Sequence, residues 1–196
     1  MNKKEVIDFF DRLAPGWDAD MIRHDARICA ILDWAGVHEG AKILDVACGT
    51  GVLIPDYISR KADKIVGVDI SSKMIEIARS KFLDSRVEFI CADVEELVFD
   101  EQFDVCMIYN AIPHFESPSR LIAHLARSIK CGGRLTIAHG MSRKQIDAHH
   151  AGAASHVSHG LMPETELARL FEPYFTVDVC ISNDEIYVVS GIKGEI

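Results

Sequence analysis

The sequence lacks the features that identify several common classes of protein. None of its six cysteines forms a CxxC pair, and Cys91 and Cys106 lie in strand-like runs, so neither a zinc ribbon nor a disulfide framework is expected. Basic runs are absent, and 30 acidic against 21 basic residues give a net charge of −9. This balance argues against a partner that is a nucleic acid.

Long apolar segments are also absent. The apolar runs have the length of strands and fall well short of a membrane span. The amino-terminal segment MNKKEVIDFFDRL is charged throughout and has no apolar core of a secretion signal. We therefore expect a cytoplasmic protein with reduced cysteines and no membrane partner. A length of 196 residues is enough for one domain with a sizeable core.

Strand and helix patterns alternate from about residue 41 onward. Five short apolar runs predict strands, with helical patterns between them: AKILDVA, DKIVGVDI, RVEFICAD, FDVCMIYN and GRLTIAH. Such alternation predicts a parallel sheet with helices on both faces. The last two runs, YFTVDVCIS and EIYVVSGIK, are joined too tightly for a helical crossover. The last strand should therefore be antiparallel.

The remaining segments are assigned to helices. Ser71 and Ser117 are placed to cap two of the crossover helices, and the pair Gly132-Gly133 should end the second. Residues 1–40 show helical apolar spacing and must pack on or over the sheet. We predict a single domain, 1–196, with amino-terminal helices over 1–40 and a core over 41–196. The core is a Rossmann-like, doubly wound, mostly parallel seven-stranded sheet with a His-rich insertion over 139–160.

A glycine-containing turn follows the first strand. In ILDVACGTGVL, Gly49 and Gly51 would let the backbone approach a ligand closely, just before a helix begins. Ligands of open α/β sheets bind beyond the carboxyl ends of the strands. A GxG turn alone is equally typical of a tight strand-to-helix connection.

Polar residues end the neighbouring strands as well. Asp69 ends the second strand, where a carboxylate can accept both hydroxyls of a ribose; Asp93 ends the third and Asn110 the fourth. A nicotinamide dinucleotide is disfavoured, because Ile54 replaces the third glycine of GxGxxG and Asp45 is a poor neighbour for a pyrophosphate. The pattern indicates a ligand with an amine, a ribose and an adenine but no phosphate. S-adenosylmethionine fits each requirement.

These motifs resemble those of class I S-adenosylmethionine-dependent methyltransferases over nearly the whole chain. DVACGTG resembles the nucleotide-binding loop of the family, with Ala47 in place of the usual first glycine, as in the ubiquinone and menaquinone C-methyltransferase branch. GVDIS, CADV and YNAIPHF match the later motifs in order. FFDRLAPGWD resembles the amino-terminal segment of that branch, where a helix folds over the cofactor. The resemblance implies the fold and the reaction, but not the acceptor.

The resemblance also implies cofactor-binding residues. Asp45 and the backbone at Ala47, Gly49 and Gly51 would hold the methionine end, and Asp69 would hold the ribose. The remaining positions would lie around the adenine or the sulfonium: Ile70, Met74, Asp93, Val94 and Asn110. Trp17 would either close over the site or anchor the amino-terminal helices in the core.

Five of the nine histidines lie in HGMSRKQIDAHHAGAASHVSH, residues 139–159. His114 and His139 follow the fourth and fifth strands, and each is either a catalytic base or a packing residue. Ser142 and Gln145 have capping-box spacing, which predicts a helix from Arg143 to about Ala151. The segment would form a lid over the acceptor, a small molecule. The substrate contacts would come from Phe115, His150, His156 and His159.

Two alternatives remain at this level. His139, His150, His156 and His159 would converge on a divalent metal ion if the segment were a metal site, although the spacing matches no strong zinc pattern. The protein would then be a non-catalytic S-adenosylmethionine-binding or metal-responsive module. Our leading hypothesis has no metal and transfers a methyl group.

Overall fold

A computed structural model describes residues 2–99, 103–150 and 155–194, without the side chains of residues 149, 150 and 155. Its helices are α1 Lys3–Asp20, α2 Asp25–Trp34, α3 Ile54–Ser59, α4 Ser72–Lys81, α5 Pro118–Ala126, α6 Arg143–His150 and α7 Glu164–Phe171. Its strands are β1 Lys42–Val46, β2 Lys64–Asp69, β3 Val87–Cys91, β4 Phe103–Tyr109, β5 Ile129–His139, β6 Phe175–Ser182 and β7 Tyr187–Lys193. Short 3-10 turns cover Val94–Glu96, Ile112–His114 and Ser155–Val157.

The seven strands form one sheet in the order β3-β2-β1-β4-β5-β7-β6. The pairs from β3 to β5 are parallel, whereas β7 is antiparallel to both β5 and β6. The predicted Rossmann-like fold with an antiparallel last strand is confirmed. The strand order reverses beside β1, so the carboxyl ends of β1 and β4 flank the crevice in which such sheets bind ligands.

Capping residues begin several helices. The Ser71 hydroxyl accepts from the Met74 amide at 3.2 Å, and the Ser117 hydroxyl accepts from the Arg120 amide at 3.3 Å. The predicted capping box is also present, because the Ser142 amide donates to the Gln145 side chain at 3.0 Å. These local bonds fix where α4, α5 and α6 leave the sheet.

The end of α5 was predicted incorrectly. The helix ends at Ala126, and β5 begins at Ile129, before the pair Gly132-Gly133. A register shift interrupts the β4–β5 pairing here, and a Cβ on Gly133 would lie 2.9 Å from the Phe103 carbonyl. The glycines therefore permit an irregularity in the strand instead of ending the helix.

The apolar side chains form two large clusters on opposite faces of the sheet. One contains residues of α5, α7 and the inner face of β5, and the other contains residues of α2, α3 and α4. Helix α1 belongs to neither: its Val6 and Phe9 form a small third cluster with Val157. None of the helices in the described ranges is long and apolar enough to cross a membrane.

Candidate functional site

A cavity of about 490 Å³ lies between the carboxyl ends of the strands and helix α1. Its wall includes twelve of the residues singled out from the sequence: Trp17, Ala47, Gly49, Asp69, Ile70, Met74, Asp93, Val94, Asn110, His114, Phe115 and His139. The parallel strands bring these residues together, because each strand ends at the same edge of the sheet.

The glycine turn after β1 uses left-handed backbone at three residues. Ala47, Gly49 and Gly51 have φ of 55°, 56° and 87°. A Cβ on Gly49 would meet nothing within 4 Å, so this glycine leaves space in the cavity wall. Gly51 is not among the residues of the cavity wall, and a Cβ there would lie 2.7 Å from the Phe82 ring. Gly51 lets the turn pack on Phe82.

Replacing Ala47 with glycine should stabilise the protein by about 1 kcal/mol, because a non-glycine residue in left-handed backbone is strained. Urea unfolding measures this change. The matched control is Ala111→Gly, since Ala111 also lines the cavity but has a φ of −129°. The control should lose stability. A loss of stability in both variants would contradict the expectation.

Asp69 connects two loops at the cavity wall. Its carboxylate accepts from the Gly49 amide at 2.8 Å through one oxygen and from the Ser71 amide at 2.8 Å through the other. Burial raises the pKa of Asp69, although the Ser71 and Gly49 amides oppose the rise. Each oxygen retains a further lone pair, which is the arrangement that a pair of ribose hydroxyls requires.

Asp45 lies beneath the glycine turn and outside the cavity wall. The residue is 2% exposed, and its Oδ2 has no hydrogen-bond partner among residues 2–99, 103–150 and 155–194. Burial, followed by the charge of Asp69, raises its pKa to about 8. The contact of Asp45 with the methionine end stays a prediction.

Asp93 and Asn110 line the cavity and also hold neighbouring segments of the backbone together. Asp93 caps the turn after β3 by accepting from the Glu95 amide at 2.9 Å, and it forms an ion pair with the Lys3 ammonium of α1. Asn110 has a φ of 57°, and its side-chain oxygen accepts from the Gly140 amide at 3.0 Å. This bond ties the end of β4 to the end of β5.

Helix α1 is held over the cavity by polar contacts to the two loops that Asp69 connects and to α4. Asp11 accepts from the Ser71 hydroxyl at 2.5 Å, and Asp18 accepts from the Thr50 hydroxyl at 2.5 Å and the Lys81 ammonium at 2.6 Å. The indole of Trp17 lines the cavity and also meets the Phe10 ring edge-on at 5.8 Å. Trp17 thus lies at the cavity wall and outside the three apolar clusters, and its contact with the cofactor stays a prediction.

The histidines separate into wall residues and surface residues. His114 and His139 line the cavity; Nδ1 of His114 lies 2.7 Å from the Val157 carbonyl, and the His139 ring meets Tyr187 at 6.0 Å. His156 and His159 are exposed and are not among the residues of the cavity wall, and the His156 ring meets Phe9 of α1 edge-on at 5.7 Å. Their contact with a substrate stays a prediction.

His150 ends α6, but its side chain lies outside the described part of the structure. Within that part, no group of three or more His, Cys, Asp or Glu side chains is placed to hold a metal ion.

Arg23 is a wall residue that the sequence analysis missed. It follows α1, and its guanidinium donates to the Val52 carbonyl at 2.5 Å and to both Asp56 oxygens at 2.7 Å. These bonds place a cation beside the glycine turn, whereas the Lys3–Asp93 pair lies at the turn after β3. No motif surrounds Arg23, because the partners that hold it beside the glycine turn, Val52 and Asp56, are 29 and 33 residues away.

Comparison with known proteins agrees with this site. Residues 43–133 match the methyltransferase domain family. A malonyl-[acyl-carrier protein] O-methyltransferase of Acetivibrio thermocellus is 32% identical over 138 residues, which are 69% of this chain and 49% of that protein. The chain belongs to the class I S-adenosylmethionine-dependent methyltransferases. A second relative of this methyltransferase, the ubiquinone/menaquinone biosynthesis C-methyltransferase of Idiomarina loihiensis, is 34% identical over 150 residues, covering 69% of this chain and 59% of its own. The chain spans about half the length of these curated relatives.

Solved structures support the methyltransferase fold. The magnesium protoporphyrin IX methyltransferase of Synechocystis PCC 6803, with bound S-adenosylhomocysteine, matches with a TM-score of 0.74 and 17% identity over 98% of this chain and 99% of its own. A putative methyltransferase of Haloferax volcanii, in complex with the Trm112 activator, matches with a TM-score of 0.78 and 18% identity over 97% and 96% of the two chains. At these identities the likeness concerns the fold alone.

Proposed function

We propose that this methyltransferase moves a methyl group from S-adenosylmethionine to a small, mainly apolar acceptor that loses a proton to His114. The observation that carries the proposal is the Asp69 carboxylate, which is held by two backbone amides at the wall of the cavity beside the glycine turn. When bound, the cofactor supplies an electrophilic methyl group.

Different residues of the cavity wall would bind different parts of the cofactor. Asp69 accepts the ribose hydroxyls and Asp93 accepts the adenine amino group. Ile70, Met74 and Val94 offer apolar contact to the adenine, and Ala47 and Gly49 leave room for the methionine end. Asn110 lies near the sulfonium. Arg23 would be the cation for the cofactor carboxylate, because it lies beside the glycine turn; it also pairs with Asp25 and Asp56. Lys3, the other Lys or Arg of the described cavity wall, pairs with Asp93 after β3.

The rest of the wall indicates the acceptor. Phe10, Phe115, Met141 and Ile146 contribute apolar surface from α1, the turn after β4, the β5–α6 loop and α6. His114 stands among them, with the Phe10 ring edge-on at 4.9 Å. A flat apolar acceptor with an acidic O–H, N–H or C–H group fits such a chamber. Closure by α1 excludes water and holds the acceptor at attack distance.

Calorimetry tests the cofactor assignment. S-adenosylmethionine and S-adenosylhomocysteine should both bind, whereas NAD should not compete with them. Once an acceptor is identified, His114→Gln should lower methyl transfer about tenfold or more and leave S-adenosylhomocysteine affinity unchanged, because only proton removal is lost. Binding of NAD in place of S-adenosylhomocysteine would contradict the proposal.

Arg23→Ala should weaken S-adenosylhomocysteine binding by about tenfold, the effect of losing one charge-assisted hydrogen bond. The matched ligand is 5′-methylthioadenosine, which has the nucleoside but no carboxylate. Its affinity should change less than twofold, as measured by the same titration. An equal loss for both ligands would show that Arg23 acts through the fold and not on the carboxylate.

A further inference from the structure

We propose that the backbone of residues 155–159, and not their histidine side chains, sets which nitrogen of His114 carries the proton, and that α1 controls this setting by packing on Val157. Val157 is thus a positioning residue. The inference rests on the proposed role of His114 as the proton acceptor, but the position of the proton is measurable without an acceptor.

The bond between His114 and Val157 defines the tautomer. Nδ1 of the ring lies 2.7 Å from the Val157 carbonyl oxygen. A carbonyl only accepts, so Nδ1 must donate. In the neutral ring the lone pair is then on Nε2, which becomes the basic nitrogen. Histidine in water favours the opposite arrangement, with the proton on Nε2. The protein therefore has to hold the carbonyl in place to obtain this base.

A second bond runs in the reverse direction between the same two segments. The His159 amide donates to the Pro113 carbonyl at 2.9 Å, next to His114 in the turn after β4. Two hydrogen bonds thus join residues 155–159 to the turn 112–114. Both bonds use backbone atoms of the His-rich segment, so neither imidazole at 156 or 159 takes part in them, while the His156 ring meets Phe9 of α1 edge-on at 5.7 Å.

Helix α1 packs against the segment that holds His114. Val157 is fully buried, and its apolar cluster contains Val6 and Phe9 of α1. The next residue of α1, Phe10, meets the His114 ring edge-on at 4.9 Å. Without the packing of α1, Val157 would lose its apolar partners and its carbonyl would no longer be fixed. The packing of α1 on Val157 would therefore favour the tautomer in which Nε2 is basic.

Nitrogen NMR of protein labelled with ¹⁵N-histidine measures the tautomer directly. At pH 8, above the ordinary histidine pKa of about 6.5, neutral rings dominate and the two nitrogens give separate signals. Two other rings are internal references: Nδ1 of His38 is 2.8 Å from the Gly36 carbonyl, and Nε2 of His124 is 2.9 Å from the Leu97 carbonyl. His114, assigned through His114→Gln, should show the His38 pattern and not the His124 pattern.

Variants then test the control by α1. Val157→Ala and Phe9→Ala should each move the His114 signals toward the His124 pattern, whereas Leu13→Ala, a control on the same helix outside the Val157 cluster, should not. Two variants of His159 separate the role of its backbone amide from that of its side chain. His159→Ala keeps the amide and should keep the wild-type tautomer of His114. His159→Pro removes the amide N–H and should shift the tautomer of His114.

Three outcomes would overturn the inference. They are a wild-type His114 with its proton on Nε2, wild-type signals in folded Val157→Ala and Phe9→Ala, or an equal shift in His159→Ala and His159→Pro. If Val157→Ala and Phe9→Ala do not fold, the comparison of His159→Ala with His159→Pro decides whether the backbone of this segment sets the tautomer. A wild-type protein that fails to bind S-adenosylhomocysteine would defeat the proposed function, yet it would leave the tautomer result intact, so the two failures are distinguishable.

Discussion

Asp69→Ala is expected to weaken S-adenosylhomocysteine binding at least about a hundredfold, or about 3 kcal/mol, as two charge-assisted hydrogen bonds to the ribose are lost. The carboxylate also holds the Gly49 and Ser71 amides, each at 2.8 Å, so its loss loosens the two loops that frame the cavity. Calorimetric titration measures the affinity, and circular dichroism verifies the fold.

The matched variant for this test is Asp69→Asn. Its side chain has the same shape but retains a single acceptor oxygen, so we expect a loss intermediate between wild type and alanine. Folded alanine and asparagine variants with wild-type affinity would exclude Asp69 from the cofactor site.

Asp45→Asn is expected to stabilise the protein by several kcal/mol at pH 8 and by much less at pH 5. An aspartate in the unfolded chain ionises near 3.8, whereas burial raises the pKa of Asp45 to about 8 in the folded protein. The folded state therefore binds this proton more tightly than the unfolded chain does. The stabilisation that this proton provides is complete below pH 3.8 and is lost as the pH rises through about 8. Each pH unit between these values costs about 1.4 kcal/mol.

Asparagine cannot ionise, so the variant avoids this loss. The difference in unfolding free energy between Asp45→Asn and wild type should grow steadily from pH 5 to pH 8, as urea unfolding will show. Asp184→Asn, in the exposed turn between β6 and β7, is the control and should give a difference that does not grow. A constant difference for Asp45→Asn would mean that Asp45 ionises normally in the folded protein.

The fold was predictable because each signal for it is local. Apolar runs defined the strands, Ser71 and Ser117 defined helix starts, and the short connection at Asn183 and Asp184 required an antiparallel strand. The end of α5 was the exception, since the bulge at Gly133 depends on contact with Phe103, a residue of another strand.

The cavity wall was predictable only in part. Asp69, Asp93 and Asn110 were found because parallel strands bring their ends together without further information. Gly51 and Asp45 share the motif with Gly49, yet one packs on Phe82 and the other lies beneath the turn. Spacing along a motif does not tell which side of a turn faces the ligand. Arg23 and Val157 act through partners distant in sequence, so no local pattern could reveal them.

The position of β7 has a consequence for how the sheet is assembled during synthesis. Strands β1 to β4 can pair as soon as they leave the ribosome, in an order set by their helical crossovers. Strand β5 obtains its second neighbour only from residues 187–193, and β6 has no partner until the same residues arrive. Until then both strands present unpaired edges, which invite pairing with other chains. A nascent chain stopped before residue 187 should therefore be the species most prone to aggregation and most dependent on chaperones.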